Sequence, residues 1–154
     1  MVYIGIDPGK KGGYAIISKE ELSPSSVTVR PMDEKSFVED MHFISEAFST
    51  NEIRCCLEKV GAMPKQGIAS TWKFAEGYGL IQGVLKAFGI PYQTVPPQTW
   101  KKEFSLLHQD KSKSIETAMR LFPDTNFMPT ERSRKPSDGM CESALMCEYA
   151  RRKL

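Results

Sequence analysis

The stretch Val2-Tyr3-Ile4-Gly5-Ile6-Asp7, followed by Pro8-Gly9-Lys10-Lys11-Gly12-Gly13 and then Tyr14-Ala15-Ile16-Ile17-Ser18, sets the frame for the whole chain. Its first six residues form a short apolar run rich in β-branched side chains, the pattern of a buried strand. The Pro-Gly and Gly-Gly pairs bracket two lysines and mark a turn. The residues after the turn are apolar and β-branched again, so residues 2–18 predict a hairpin. Asp7 ends the first strand, where its side chain would sit beside the core. As an isolated residue it reads equally as a turn former or as a functional acid.

Working outward, residues 25–31 alternate and predict a third strand. Phe37, Met41, Ile44 and Phe48 recur at helical spacing and predict a helix over 35–49. Residues 53–58, Ile-Arg-Cys-Cys-Leu-Glu, read as a fourth strand that ends on Glu58, and 60–67 as a loop. A long helix over 68–88 stops at Gly89 and Pro91. A fifth strand over 92–95 stops at Pro96-Pro97. Helices are expected over 98–104, 111–122 and 138–151. The polar loop 123–137, with Pro129 and Pro136, is the best candidate for a mobile region. Antiparallel strands come first and the later strands are separated by helices. The expected fold class is therefore α/β, a mixed five-stranded sheet flanked by helices, with residues 1–154 in one domain.

The composition bounds the function classes. Apolar residues are 40% and charged residues 26% of the chain, as in a globular protein. No apolar run approaches the ~20 residues of a membrane helix. No secretory signal pattern opens the sequence, which predicts a cytoplasmic location. Cys55, Cys56, Cys141 and Cys147 sit in apolar segments and form no CxxC pair, so buried reduced thiols are expected. The net charge of +2 says little about partners. Its distribution says more: Lys10-Lys11, Lys101-Lys102, Lys111 with Lys113, and Arg132 to Lys135 are local basic clusters suited to a phosphate-binding face. Solvated surface lysines are the plain alternative.

Four acids stand at element ends. Asp7 and Glu58 close apolar strands, and Asp138 and Glu142 lie four apart at the start of the last helix, on one face of it. Neighbouring strands would set Asp7 beside Glu58, and a helix across their ends would add the other two. Such a group repels itself unless cations intervene, and its hard oxygen donors suit Mg²⁺ or Mn²⁺. Each acid also has a simpler reading. Asp138 would serve as an N-cap, Glu142 as a favourable first-turn charge, and Glu58 as a surface charge.

Ile4 to Gly9 with Gly12-Gly13-Tyr14-Ala15 resembles the opening of the RuvC-type Holliday junction resolvases. Cys56-Leu57-Glu58-Lys59-Val60 resembles that family's second acidic motif, and Ser137 to Leu145 its final acidic helix. Val95 to Lys101 and Lys111 to Ser114 resemble its basic stretches. The likeness runs over nearly the whole chain in motif order, and the short length and the Asp-Gly-x-x-Glu helix start look most like bacteriophage members. The resemblance implies an RNase H-like fold and a homodimer that resolves four-way junctions and other branched DNA by hydrolysing phosphodiesters with two Mg²⁺ ions, for which Mn²⁺ substitutes. It implies Asp7, Glu58, Asp138 and Glu142 as the metal ligands, with Lys111 a fifth catalytic residue, and no small-molecule substrate. Lys10, Lys11, Lys65, Lys101, Lys102, Lys113, Arg132, Arg134 and Lys135 would contact DNA. A phage-encoded protein would act in the host cytoplasm. Two departures are visible. Bacterial members usually space the last two acids three apart rather than four. Many also carry an aromatic in the loop after the second acid, where this chain offers only Met63 as a wedge.

Three other readings are compatible with parts of the sequence. The Asp-Pro-Gly turn followed by Gly-Gly also occurs in actin-like and sugar-kinase phosphate-binding domains, which need a far longer chain. A relaxed nuclease would cut forks and flaps as readily as junctions. A junction binder without catalysis would not need all four acids. On the long helix, Leu80, Ile81, Val84, Leu85 and Phe88 read as core or as a two-fold contact, while Trp72, Phe74 and Tyr78 read as buried packing more readily than as base-stacking residues.

Overall fold

The computed structural model describes residues 1–18, 24–62 and 64–154. Met63, expected as a wedge, lies outside the described residues. Five strands form one sheet in the order β3-β2-β1-β4-β5, where β1 is Val2–Asp7, β2 Gly13–Ile17, β3 Thr28–Pro31, β4 Ile53–Glu58 and β5 Tyr92–Val95. The hairpin β1–β2 is antiparallel, as is β2–β3, while β4 and β5 run parallel to β1. The sheet is thus mixed, as the order of elements predicts. The third strand is shorter than expected, and a 3-10 turn at Thr50–Glu52, closed by a reciprocal Ser49–Glu52 cap, leads into β4.

Helices cover both faces. Helices α1 (Glu34–Ala47) and α2 (Ile68–Ala87) lie on one side, where Phe37, Met41, Ile44, Ile81 and Leu85 pack on Val2, Ile4, Ile6, Cys55 and Leu57. Helices α3 (Pro97–Glu103), α4 (Lys111–Leu121) and α5 (Asp138–Lys153) cover the other, where Trp100, Ala118, Leu145 and Cys147 pack with Ala15, Cys56 and Val95. Alternation along the strands sorts their residues. In β1, Val2, Ile4 and Ile6 face α1 and α2, so Tyr3, Gly5 and Asp7 face α5.

Helix α5 is the central helix of its layer, buried over most of its length. It lies directly on β1 because position 5 has no side chain. A Cβ on Gly5 would stand 2.1 Å from the Cys147 nitrogen and 2.2 Å from the Ser143 oxygen. The start of α5 is seated in the same way: a Cβ on Gly139 would stand 2.2 Å from the Lys11 oxygen. These two close approaches fix the N-terminus of α5 against the β1–β2 turn. The four cysteines are buried and unpaired, as expected. The loop before α5 is tied down in part, through Phe127 in the core, Thr125 bonded to Val27, and Ser137 N–H donating to the Phe127 carbonyl. Among the described residues, no helix is long and apolar enough to cross a membrane.

Candidate active site

The parallel pairing of β1 and β4 sets Gly5 beside Cys56 and Ile6 beside Leu57. The next pair in that register is Asp7 and Glu58, at the C-terminal edge of the parallel strands, where open α/β sheets place ligands. Helix α5 crosses this edge with its first turn, seated by Gly139 on the β1–β2 turn. Asp138 is therefore the first helical residue, and Glu142 lies one turn on. The N-cap is Ser137, whose hydroxyl accepts from the Met140 N–H. The capping role that the sequence allowed for Asp138 is thus filled by its neighbour, and the Asp138 carboxylate turns elsewhere.

Asp7 feels all three other acids. Burial pushes its pKa up to about 8, and the charges of Glu58, Glu142 and Asp138 add to the rise, against a smaller opposing effect of Lys111. Glu58 is also raised by burial, although the Trp100 N–H bonded to it works the other way. Asp138 is lowered, chiefly by its hydrogen bond from Lys111. One mixed group of four carboxylates therefore holds one acid kept protonated near neutrality and one held ionised.

Helices α3 and α4 supply the partners. Trp100, fully buried, donates its indole N–H to Glu58 Oε1 at 3.0 Å. Lys101 Nζ stands 3.5 Å from Glu142 Oε1, and Ser114 Oγ donates to the same oxygen at 3.3 Å. Lys111 Nζ donates to Asp138 Oδ2 at 2.6 Å. The Asp7 carboxylate has no hydrogen-bond or ion-pair partner among the described residues.

The five residues expected to carry catalysis thus come together. Lys101, expected on DNA, is at the acids themselves. Lys10, Lys11, Lys65, Lys102, Lys113, Arg132, Arg134 and Lys135 are exposed, and Lys113 is paired with Glu116 at 2.9 Å. Trp100 and Ser114 were not foreseen as site residues. Their partners lie 42 and 28 residues away in sequence, so no local pattern marks them. Trp72, expected to be packed, is 71% exposed.

No family model and no curated protein matches the sequence. Solved structures do match. A Thermus thermophilus RuvC structure aligns over 96% of this chain and 91% of its own, with a TM-score of 0.55 and 16% identity. T. thermophilus RuvC in complex with a Holliday junction substrate aligns over 96% and 90%, with a TM-score of 0.62 and 13% identity. The fold is that of RuvC. The RNase H-like architecture expected from the motifs is therefore correct, and the RuvC-type fold is reached with almost no sequence identity.

The donor chemistry fits a hard divalent cation: four carboxylates converge on one sheet edge, and burial together with the other three charges pushes the Asp7 pKa up. Their present placement does not form a ready cage. Among the described residues, no three His, Cys, Asp or Glu side chains are arranged to hold a metal ion together.

Proposed function

We propose that this chain is a metal-dependent endonuclease of the RuvC type that resolves four-way junctions and cuts other branched DNA. One observation carries the proposal: strands β1 and β4 and the first turn of α5 bring Asp7, Glu58, Asp138 and Glu142 to one sheet edge, where burial and the charges of the other three push the Asp7 pKa up to about 8. A purely structural role would not gather four like charges there. The RuvC-type fold supports the choice of substrate, since one of the matching structures holds a Holliday junction.

In this reading Asp7, Glu58, Asp138 and Glu142 hold Mg²⁺, with Mn²⁺ as a substitute. Bound divalent cations supply the positive charge that makes a water nucleophilic and steadies the leaving oxygen of a phosphodiester. The chain's own groups do the positioning. Trp100 fixes one oxygen of Glu58, Ser114 steadies Glu142, and Lys111 meets charge on the reacting phosphate. Lys10, Lys11, Lys65, Lys102, Lys113, Arg132, Arg134 and Lys135 contact the phosphate backbone and set position without reading sequence. A groove of about 650 Å³ between the β1–β2 turn and α2, lined by Gly9, Lys10, Lys73 and Phe74 among others, offers two lysines to a DNA strand. The active unit is a homodimer, with the phage-type members as its nearest kind and a host cytoplasm as its place of action.

The test is a labelled four-way junction incubated with the protein in Mg²⁺ and in EDTA, with the nicks mapped. Paired nicks near the crossover, made only with metal, are the expected result. Equal cutting of junction, Y-fork and plain duplex would remove the junction preference and leave a general nuclease. Intact DNA in every condition, with tight ATP binding instead, would overturn the nuclease reading.

A further inference from the structure

The acids fit a divalent cation in kind, and two of them already have cationic partners. Two lysines already serve them. Lys111 Nζ sits 2.6 Å from Asp138 Oδ2, and Lys101 Nζ sits 3.5 Å from Glu142 Oε1. They arrive from different helices, α4 and α3, and neutralise the two site acids of α5, Asp138 and Glu142, from two directions. The same Glu142 oxygen also takes the Ser114 hydroxyl, and Glu58 Oε1 takes the Trp100 indole. The oxygens that a cation would need are thus partly occupied by donors of this chain.

We propose that Lys101 and Lys111 are resident counter-cations of the acidic group, and that a divalent cation enters by displacing Lys111 from Asp138. This rests on the metal-dependent reading above. A divalent cation brought among these acids repels the ammonium groups already there. The lysine that yields is the one freer to move. The Lys111 side chain is 77% exposed at the first residue of α4, so it can swing into solvent or onto a phosphate. The Lys101 side chain is only 32% exposed, and its ammonium lies 5.2 Å from the centre of the Trp100 ring. It stays, and continues to balance Glu142. Loading the site therefore frees one cation, Lys111, beside the place where a phosphate would bind.

The prediction concerns metal uptake by the full chain without DNA, measured by calorimetry with Mg²⁺ and with Mn²⁺ at low salt. Lys111→Met removes the competitor and is expected to tighten binding about threefold or more, the scale set by losing one exposed ion pair plus one nearby positive charge. Because its affinity is higher, its gain in melting temperature on adding Mg²⁺ exceeds that of the wild type. Lys111→Arg keeps the charge and binds like the wild type. Lys101→Met, at the less mobile lysine, tightens binding less than Lys111→Met. If the wild type binds metal and Lys111→Met binds equally or more weakly, the displacement is wrong and the nuclease reading stands. If the wild type takes up neither cation, the metal-dependent reading itself falls, and the displacement with it.

Discussion

At pH 7 an Asp7 carboxyl with a pKa of about 8 keeps its proton in about nine molecules of ten, whereas the same group in the unfolded chain, near 3.8, is ionised. Folding of the metal-free protein therefore takes up a proton between these two values. The stabilisation this brings is fully present below about pH 4 and is lost as the pH rises through about 8. Metal-free protein should melt at progressively lower temperature from pH 5 to pH 9, and Asp7→Asn should flatten that decline. The variant should also be the more stable form at pH 9, by about 1 kcal/mol or more in denaturant titration. A wild-type melting temperature independent of pH in this range would contradict the burial and repulsion assigned to Asp7. The same proton has to leave before a cation binds. Calorimetry at pH 6.5 in buffers of different ionisation enthalpy should register release of about one proton per site. For function, Asp7→Asn should bind a four-way junction as the wild type does and lose Mg²⁺-dependent nicking by about a thousandfold or more. Undiminished nicking would sink the site assignment. Asp138 answers differently, because Lys111 already holds it ionised and Ser137 has taken the capping role.

Each element owes its place to a local pattern, and most of the patterns were legible. The β-branched runs at 2–7 and 53–58 and the helical spacing of Phe37, Met41 and Ile44 specify their elements without outside help, and the acids at strand ends follow from where the runs stop. Side-chain partners across elements were not legible. The Trp100 bond to Glu58 spans 42 residues of sequence, and nothing in the local pattern says which way the indole turns. Trp72 misled for a related reason: an aromatic on an apolar helix is usually buried, but α2 buries only Ile81 and Leu85. Gly5 carries a meaning that strand propensity hides, since glycine weakens a strand and is kept here for the backbone that crosses it. Gly5→Ala would push Ser143 and Cys147 off the sheet. It should cost about 3 kcal/mol or more, read as a lowered urea midpoint. Gly139→Ala acts at the other end of the same contact and would lift the first turn of α5 from the β1–β2 turn. Its expected signature is a larger loss of metal affinity than of stability, because Asp138 and Glu142 move together away from Asp7. Equal midpoints for Gly5→Ala and wild type would mean that α5 does not lie on β1 as described.

At the scale of the whole molecule, the outer surface of α2 is where the proposed homodimer can be tested. Ile68, Trp72, Ala75, Gly79 and Gly83 follow one another at steps of four and three, so they form a single stripe along the helix. All five are exposed, Ile68 by 90% and Trp72 by 71%. The stripe is large and apolar at one end and small at the other, with open space around Gly79 and Gly83. Two such helices crossing about a two-fold axis would set each tryptophan on its partner's small residues, in a self-complementary contact of the kind symmetric dimers use. A buried tryptophan contributes about 150–250 Å² on its own, a sizeable part of the roughly 800 Å² per partner of an ordinary interface. A dimer would have a functional consequence that a monomer lacks, since two acidic sites related by a two-fold axis would face two strands of a branched DNA at once. Trp72→Glu places a charge at the large apolar end of the stripe. Sedimentation equilibrium should give the wild type a mass twice the 17.4 kDa of the chain, and the variant a mass near 17.4 kDa. The variant should still bind Mg²⁺ with wild-type affinity, yet nick a junction in one strand at a time. A wild type that sediments as a monomer, or a Trp72→Glu variant that remains a dimer, would place the subunit contact elsewhere or remove it.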